Sequence, residues 1–284
     1  MKGYKFMKSD MSCRGFQYEL GKEYSLEDEL KICKKGFHFC ENPFDCLKYY
    51  DNIKGDKRLF LVEALGEVIT DENKSVTNKI KIVEEITNIE KFFDENMDNF
   101  KADYYRLISN QTLSEEFIEK YNDKFSWYNI SIYQKLSESF IEKYIDKINW
   151  NNISIYQKLS EEFIEKYSDK FDWRHISIYQ TLSEKFIDKY NDKVDWTCIS
   201  QFQKLSEEFI EKYEDKVDWS YISISQTLSE EFIEKYDGRV DWVYISMYQK
   251  LSEEFIKKHE YRVDYNTLLT YRKEDELKIH VNKF

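Results

Sequence analysis

Five residues near the start of the chain have side chains able to do chemistry: Cys13, Cys33, His38, Cys40 and Cys46. Thiolates and an imidazole are the usual protein ligands of zinc, so the group is a candidate metal site. Its spacing argues otherwise. No C-x-x-C pair occurs, and Cys40 and Cys46 flank a predicted helix start, so small buried apolar thiols are the expected role and no metal is assigned. His38 with Cys40 or Cys46 would also make a base and a nucleophile, although alternation along a strand places positions 38 and 40 on one face by parity alone. Neither GxGxxG nor GxxxxGK, the glycine loops that cradle phosphates, is present. No catalytic residue, cofactor or enzymatic activity is therefore assigned.

The elements that must position these residues follow from hydrophobic period. "YKFMKS", "GFQYEL", "GFHFC" and "RLFLVEALGEVIT" alternate with period two and are predicted strands, and a short helix is predicted from Pro43 to Tyr50, opened by Asn42. Residues 1–85 are thus expected to form an α+β domain. "KIKIVEEITNIEKFFDENMDNF" reads as a strand passing into a degenerate unit, so residues 86–102 are expected to be a capping junction.

Beyond it the chain repeats. Trp127, Trp150, Trp173, Trp196, Trp219 and Trp242 are each 23 residues apart, and Tyr104 and Tyr265 extend the period, marking eight units over residues 103–284 with the last shortened. The unit reads D-W-x-x-I-S-x-Y-Q-x-L-S-E-E-F-I-E-K-Y-x-D-K-V. Asp195 and Ser206 are helix N-cap residues, Leu205 with Ile210 and Val194 with Ile199 have the spacing of hydrophobic staples, and Glu207 and Glu208 favour a helix start. Phe209, Ile210, Tyr213 and Val217 are predicted on one apolar stripe, and Trp196, Ile199 and Phe202 on another. Each unit is a short αα-hairpin that cannot enclose its own apolar face, so an all-α solenoid is expected after the α+β domain. The recurring Gln111, Gln134, Gln157, Gln180, Gln203, Gln226 and Gln249 are expected to tie one unit's backbone to the next.

The third and fourth residues of each unit vary on this fixed frame: Tyr128 and Asn129, Asn151 and Asn152, Arg174 and His175, Thr197 and Cys198, Ser220 and Tyr221, Val243 and Tyr244. Variation on a rigid frame is how solenoids present a binding surface; drift at unconstrained positions gives the same pattern. Tyr128, Asn129, Arg174, His175, Ser220, Tyr221 and Tyr244 are the candidate partner-binding residues. Net charge is −12, of which residues 1–101 carry −3 and the rest −9, the wrong sign for a nucleic-acid binder. An acidic array could mimic nucleic acid, yet each unit mixes Lys with Glu and Asp in the manner of a solvated surface. No apolar run is long enough for a membrane span, the start lacks a secretory h-region, and five cysteines suit a reducing compartment, so a cytoplasmic protein is expected.

The runs "CRGFQYELGKEY", "LKICKKGFHFCENPFDCLKYYD" and "RLFLVEALGEV" resemble an uncharacterised domain of phage, prophage and large-virus accessory proteins, often joined to tandem repeats; the resemblance covers about Gly3 to Ile86. It implies an accessory protein of a mobile element, and from that context an anti-CRISPR-like inhibitor that docks on a host protein or ribonucleoprotein defence complex without catalysis. Arg14 with Gly15 at a strand start is similar, at the level of fold, to ADP-ribosyltransferases, which implies an alternative enzyme with the repeats as targeting arm. The chain departs from that pattern, because Glu63 and Glu67 sit as ordinary strand residues and no catalytic Glu is matched. A structural spacer is the third expectation.

Overall fold

A computed structural model of the chain describes residues 1–27, 29–49, 57–96, 103–264 and 267–268, and divides into two compact units, 1–149 and 150–284. The front of the first unit is α+β. Its elements are β1 (Lys2–Lys8), β2 (Ser12–Cys13), β3 (Phe16–Gln17), β4 (Glu23–Ser25), β5 (Phe37–Phe39), α1 (Pro43–Tyr49), β6 (Lys57–Ala64), β7 (Val68–Asp71), β8 (Lys74–Thr77), β9 (Lys79–Ile86) and α2 (Ile89–Asn96). An antiparallel sheet runs in the order β1-β6-β9-β4, a second in the order β5-β8-β7, and β2 pairs with β3.

The first sheet is covered on both faces. Adjacent residues of a strand point to opposite sides, and here both sides are apolar: Phe6 and Leu59 enter one core with Phe44, Leu47 and Phe93, while Met7 and Phe60 enter another with Phe37, Phe39 and Ile80. The first core continues through Leu107, Ile118 and Ile130 to Phe140, so the α+β front and the first helical repeats share one apolar interior.

Several boundaries differ from the sequence reading. The long run from Arg58 to Thr70 is two strands, because Asn78 reaches across at Gly66: its Oδ1 accepts from the Glu67 amide at 2.9 Å, and a Cβ on Gly66 would sit 2.0 Å from that oxygen. "GFQYEL" contributes only Phe16–Gln17, the second arm of a hairpin whose loop is Arg14 and Gly15. Strand β8 was hidden by its polar letters, yet all four of its residues are buried between β5 and β7, with the Ser75 and Thr70 hydroxyls 2.8 Å apart. Asn42 opens α1 as expected, its Oδ1 accepting from the Phe44 amide at 3.0 Å; Tyr50 lies outside the described residues.

The rest is helical repeat. In the first unit stand α3 (Tyr104–Asn110) with α4 (Glu115–Lys120) and α5 (Trp127–Tyr133) with α6 (Glu138–Lys143). The second unit holds α7 (Trp150–Tyr156) with α8 (Glu161–Lys166), α9 (Trp173–Tyr179) with α10 (Glu184–Lys189), α11 (Trp196–Phe202) with α12 (Glu207–Lys212), α13 (Trp219–Ser225) with α14 (Glu230–Lys235), and α15 (Trp242–Tyr248) with α16 (Glu253–Lys258). Tyr265 and the stretch 97–102 of the expected capping junction lie outside the described residues. Both predicted caps form: Asp195 accepts from the Cys198 amide and Ser206 from the Phe209 amide.

Helices of six or seven residues do not persist alone, and within the second unit three kinds of clasp tie neighbouring repeats together. Gln203 donates to the Ser177 and Gln180 carbonyls at 2.8 Å each and accepts from the Leu182 amide at 3.0 Å; Gln180, Gln226 and Gln249 repeat this set. Ser200 donates to the Trp196 carbonyl at 2.7 Å and accepts from the Asp218 amide at 2.9 Å. Glu207 accepts from the amide and hydroxyl of Ser229, the next unit's cap. Trp196 adds an indole bond to the Asn191 carbonyl at 2.9 Å and stacks on Phe209. In α2, Glu90 accepts from Ser114 and Asp94 from Lys120 and Tyr121, the same contacts that a repeat's second helix makes to the unit after it.

Candidate functional site

The reactive side chains of the front domain separate into different surroundings. Cys13, His38 and Cys40 line one cavity of about 260 Å³, together with Lys5, Arg14, Phe16, Tyr18, Lys34, Phe37, Tyr49 and Lys74. Cys46 is fully buried elsewhere; its thiol donates to the Tyr4 carbonyl at 3.1 Å, and burial pushes its pKa well above the usual thiol range. Cys33 is exposed, and its amide donates to Nε2 of His38 at 2.8 Å. That bond occupies the imidazole lone pair that a general base would use, and burial, with Lys74, Lys5 and Arg14 behind it, pushes His38 down to about 4. Among the described residues no three of His, Cys, Asp and Glu are grouped to hold a metal ion.

The cavity is cationic. Lys5 is 3% exposed, with its ammonium bonded to the His38 carbonyl at 2.8 Å, and burial lowers its pKa. Lys74 is 6% exposed, with its ammonium 4.3 Å from the centroid of the Tyr49 ring and 3.6 Å from the Cys33 sulfur. Arg14 is held at the mouth by the hairpin between β2 and β3. Its φ of 51° and the 81° of Gly15 are the two left-handed positions that a two-residue primed turn requires. Glu63 and Glu67, the carboxylates considered for an ADP-ribosyltransferase, are not among the residues that line this cavity.

On the repeats, the structure separates the two variable positions. The third-position residues Tyr128, Arg174 and Ser220 are exposed, whereas Asn129, His175, Tyr221 and Tyr244 at the fourth are half-buried, and Asn152 and Cys198 are buried. Trp, Ile, Ser and Gln at positions two, five, six and nine form the inward stripe, with the i, i+3, i+4, i+7 spacing of one helix face. Phe202, expected on that stripe with Trp196 and Ile199, does not belong to it. Six residues beyond Trp196 it lies about 120° round the helix, and it is 49% exposed.

That displacement exposes a feature the variable positions concealed. Tyr133, Tyr156, Tyr179, Phe202 and Tyr248 all occupy the eighth position and are 44–55% exposed, while Asn110 and Ser225 hold that place in α3 and α13. Fourth and eighth positions share a flank: His175 and Tyr179 have ring centroids 6.2 Å apart, and Tyr244 and Tyr248 6.3 Å. The seventh position adds half-buried Ile155, Ile178, Ile224 and Met247. The recurrence of an aromatic at the eighth position suggests framework; the signal of a surface is its offset from the inward stripe.

No helix among the described residues is long and apolar enough to cross a membrane. No curated protein and no solved structure matches the chain. Residues 1–101 match the family model of a domain of unknown function, DUF7666, so the front of the chain is similar to an uncharacterised domain that ends where the helical repeats begin.

Proposed function

We propose that the protein works without catalysis, as a binding protein whose first-helix face recognises another protein. The observation that carries this is the exposed aromatic residue recurring at the eighth position. Aromatic rings supply large contact area at low entropic cost and dominate binding hot spots. Their own array gains little from them, since Ser225 fills the same place in α13. The resemblance of the front domain to accessory domains of mobile elements makes a bacterial defence complex the partner to test first, with inhibition as the expected consequence of docking.

The full chain, tagged, is exposed to bacterial lysate containing such complexes beside a variant carrying Tyr156→Ser, Tyr179→Ser and Tyr248→Ser. Ser225 supplies the precedent that serine fits this place. The partner held by the native chain should be lost from the variant by at least about tenfold, as expected when hot-spot rings are truncated, while helical content is retained. Retention of the partner by a folded variant rejects the first-helix face as the recognition surface.

A further inference from the structure

The cavity of the front domain is unusual for an acidic protein. Four cationic side chains, Lys5, Arg14, Lys34 and Lys74, line about 260 Å³, and no Asp or Glu is among the described residues that line it. The chain as a whole carries −12. Two of the four cations, Lys5 and Lys74, are more than nine-tenths buried. Gathering positive charge in a low-dielectric pocket is unfavourable, which is what lowers the pKa of Lys5, and an anion bound in the cavity would relieve it. Their fields reach a common point, since Lys74, Lys5 and Arg14 all act on His38.

Charge and shape restrict the anion. A carboxylate brings one negative charge, whereas a phosphate monoester brings between one and two near neutral pH and accepts several hydrogen bonds, which suits converging lysines and an arginine. One side of the cavity is aromatic. Phe16 packs on Tyr18, Tyr24 and Phe37 with centroids 4.7, 5.3 and 5.5 Å away, yet remains 38% exposed at the opening. Lys5 lies over the Tyr18 ring at 5.4 Å, so the cationic and aromatic walls adjoin. At about 260 Å³ the cavity falls just below the usual range of ligand sites, which confines it to a small ligand.

We propose that this cavity binds a phosphate monoester of a sugar that also bears a flat ring, a ligand of the nucleoside monophosphate class, with Lys5, Arg14, Lys34 and Lys74 supplying the charge and Phe16 the stacking surface. No glycine loop is involved. The phosphate is met by side chains, which is why the sequence carries no phosphate-loop motif. The site is separate from the aromatic face of the repeats and makes the front domain a small-molecule receptor in its own right.

The test titrates AMP, GMP, CMP and UMP calorimetrically into the full chain at low salt, beside the four nucleosides and ribose 5-phosphate. At least one monophosphate should bind saturably at one site per chain. Its nucleoside and ribose 5-phosphate should bind at least about tenfold more weakly, since each lacks one of the two recognised parts. Arg14→Asn removes a cation and supplies the Asn-Gly pair that a primed turn prefers, so its melting temperature should not fall while affinity drops about tenfold; Lys34→Gln, at an exposed position, should weaken binding in the same sense. Failure of all four monophosphates to saturate at millimolar concentration would overturn the proposal. So would equal binding by a nucleoside or by ribose 5-phosphate, or native affinity in both variants.

Discussion

The imidazole of His38 senses the whole cavity, since Lys74, Lys5 and Arg14 all act on it. Its folded pKa of about 4 lies below the ordinary 6.5, burial being the main cause and the neighbouring cations the second. Between those two values the unfolded chain binds a proton that the folded chain refuses, so stability is fully present above the ordinary value and is lost as pH falls toward 4. Discounted for the partial exposure of the ring to solvent, the loss attributable to His38 should be on the order of 2 kcal/mol. Urea midpoints at pH 7, 5.5 and 4.5 check this, with His38→Gln as reference: the variant should lose less over the interval. Carboxylates such as Glu119 and Glu165, held low by hydrogen bonds to lysines, act with the same sign at lower pH and are common to both proteins. A His38→Gln curve parallel to the native one would remove the imidazole from the account. At this scale the sequence told which side chains had chemistry and not what surrounded them. Cys13, His38 and Cys40 were legible as candidates, but Lys5 and Lys74 on strands and Lys34 in a turn were not, because a lysine at such positions is ordinarily a solvated one.

Elements are held to one another by polar clasps, and their expected costs are unequal. Truncating Gln203 to alanine strips partners from two buried carbonyls and from the Leu182 amide. Truncating Ser206 removes one cap bond, to the Phe209 amide. Gln203→Ala should cost about 2–4 kcal/mol and Ser206→Ala about 1 kcal/mol. Amide exchange gives the sharper check, because Gln203→Ala should speed exchange at Leu182 in the unit before it, far along the chain from the substitution. Unchanged protection at Leu182 would mean that packing alone joins the units. The repeat was readable because period, caps and staples agree at every unit, each enforcing the same local geometry. The caps and the glutamine bridge followed from residue type. The serine clasp did not, since a Ser at the sixth position looks like any exposed hydroxyl until helix phase turns it inward. Phase also explains the misplacement of Phe202, whose residue type suggested a core that its angle excludes. The polar strand β8 was missed for the complementary reason: burial between two other strands is a tertiary fact that local letters do not carry.

The whole molecule joins two kinds of construction, and they should respond differently to cutting. The α+β front has one arrangement of unlike strands, whose two cores depend on partners distant in sequence, such as β1 with β6 and β5 with β8. The second unit instead repeats one interface, and its stability is expected to be a sum of nearly equal nearest-neighbour terms. Deleting residues 195–217 removes one complete period and places Asp218 after Val194, restoring the D-W register. Gln226 would then meet the Ser177 and Gln180 carbonyls and the Leu182 amide that Gln203 meets now. The shortened chain should fold, keep its helical signal per residue and keep the cavity of the front domain unaltered, with unfolding free energy reduced by one unit's share. Deleting only 195–205 takes away a first helix and leaves Ser206 behind Val194, so the next inward stripe has no partner in register; this chain should lose cooperative unfolding beyond residue 195. Denaturation followed by circular dichroism, with nucleotide titration of both deletions, separates the outcomes. If the full-period deletion proved as disruptive as the half-period one, the units would not be interchangeable, and the small differences among them at the third and fourth positions would have to carry structure as well as recognition.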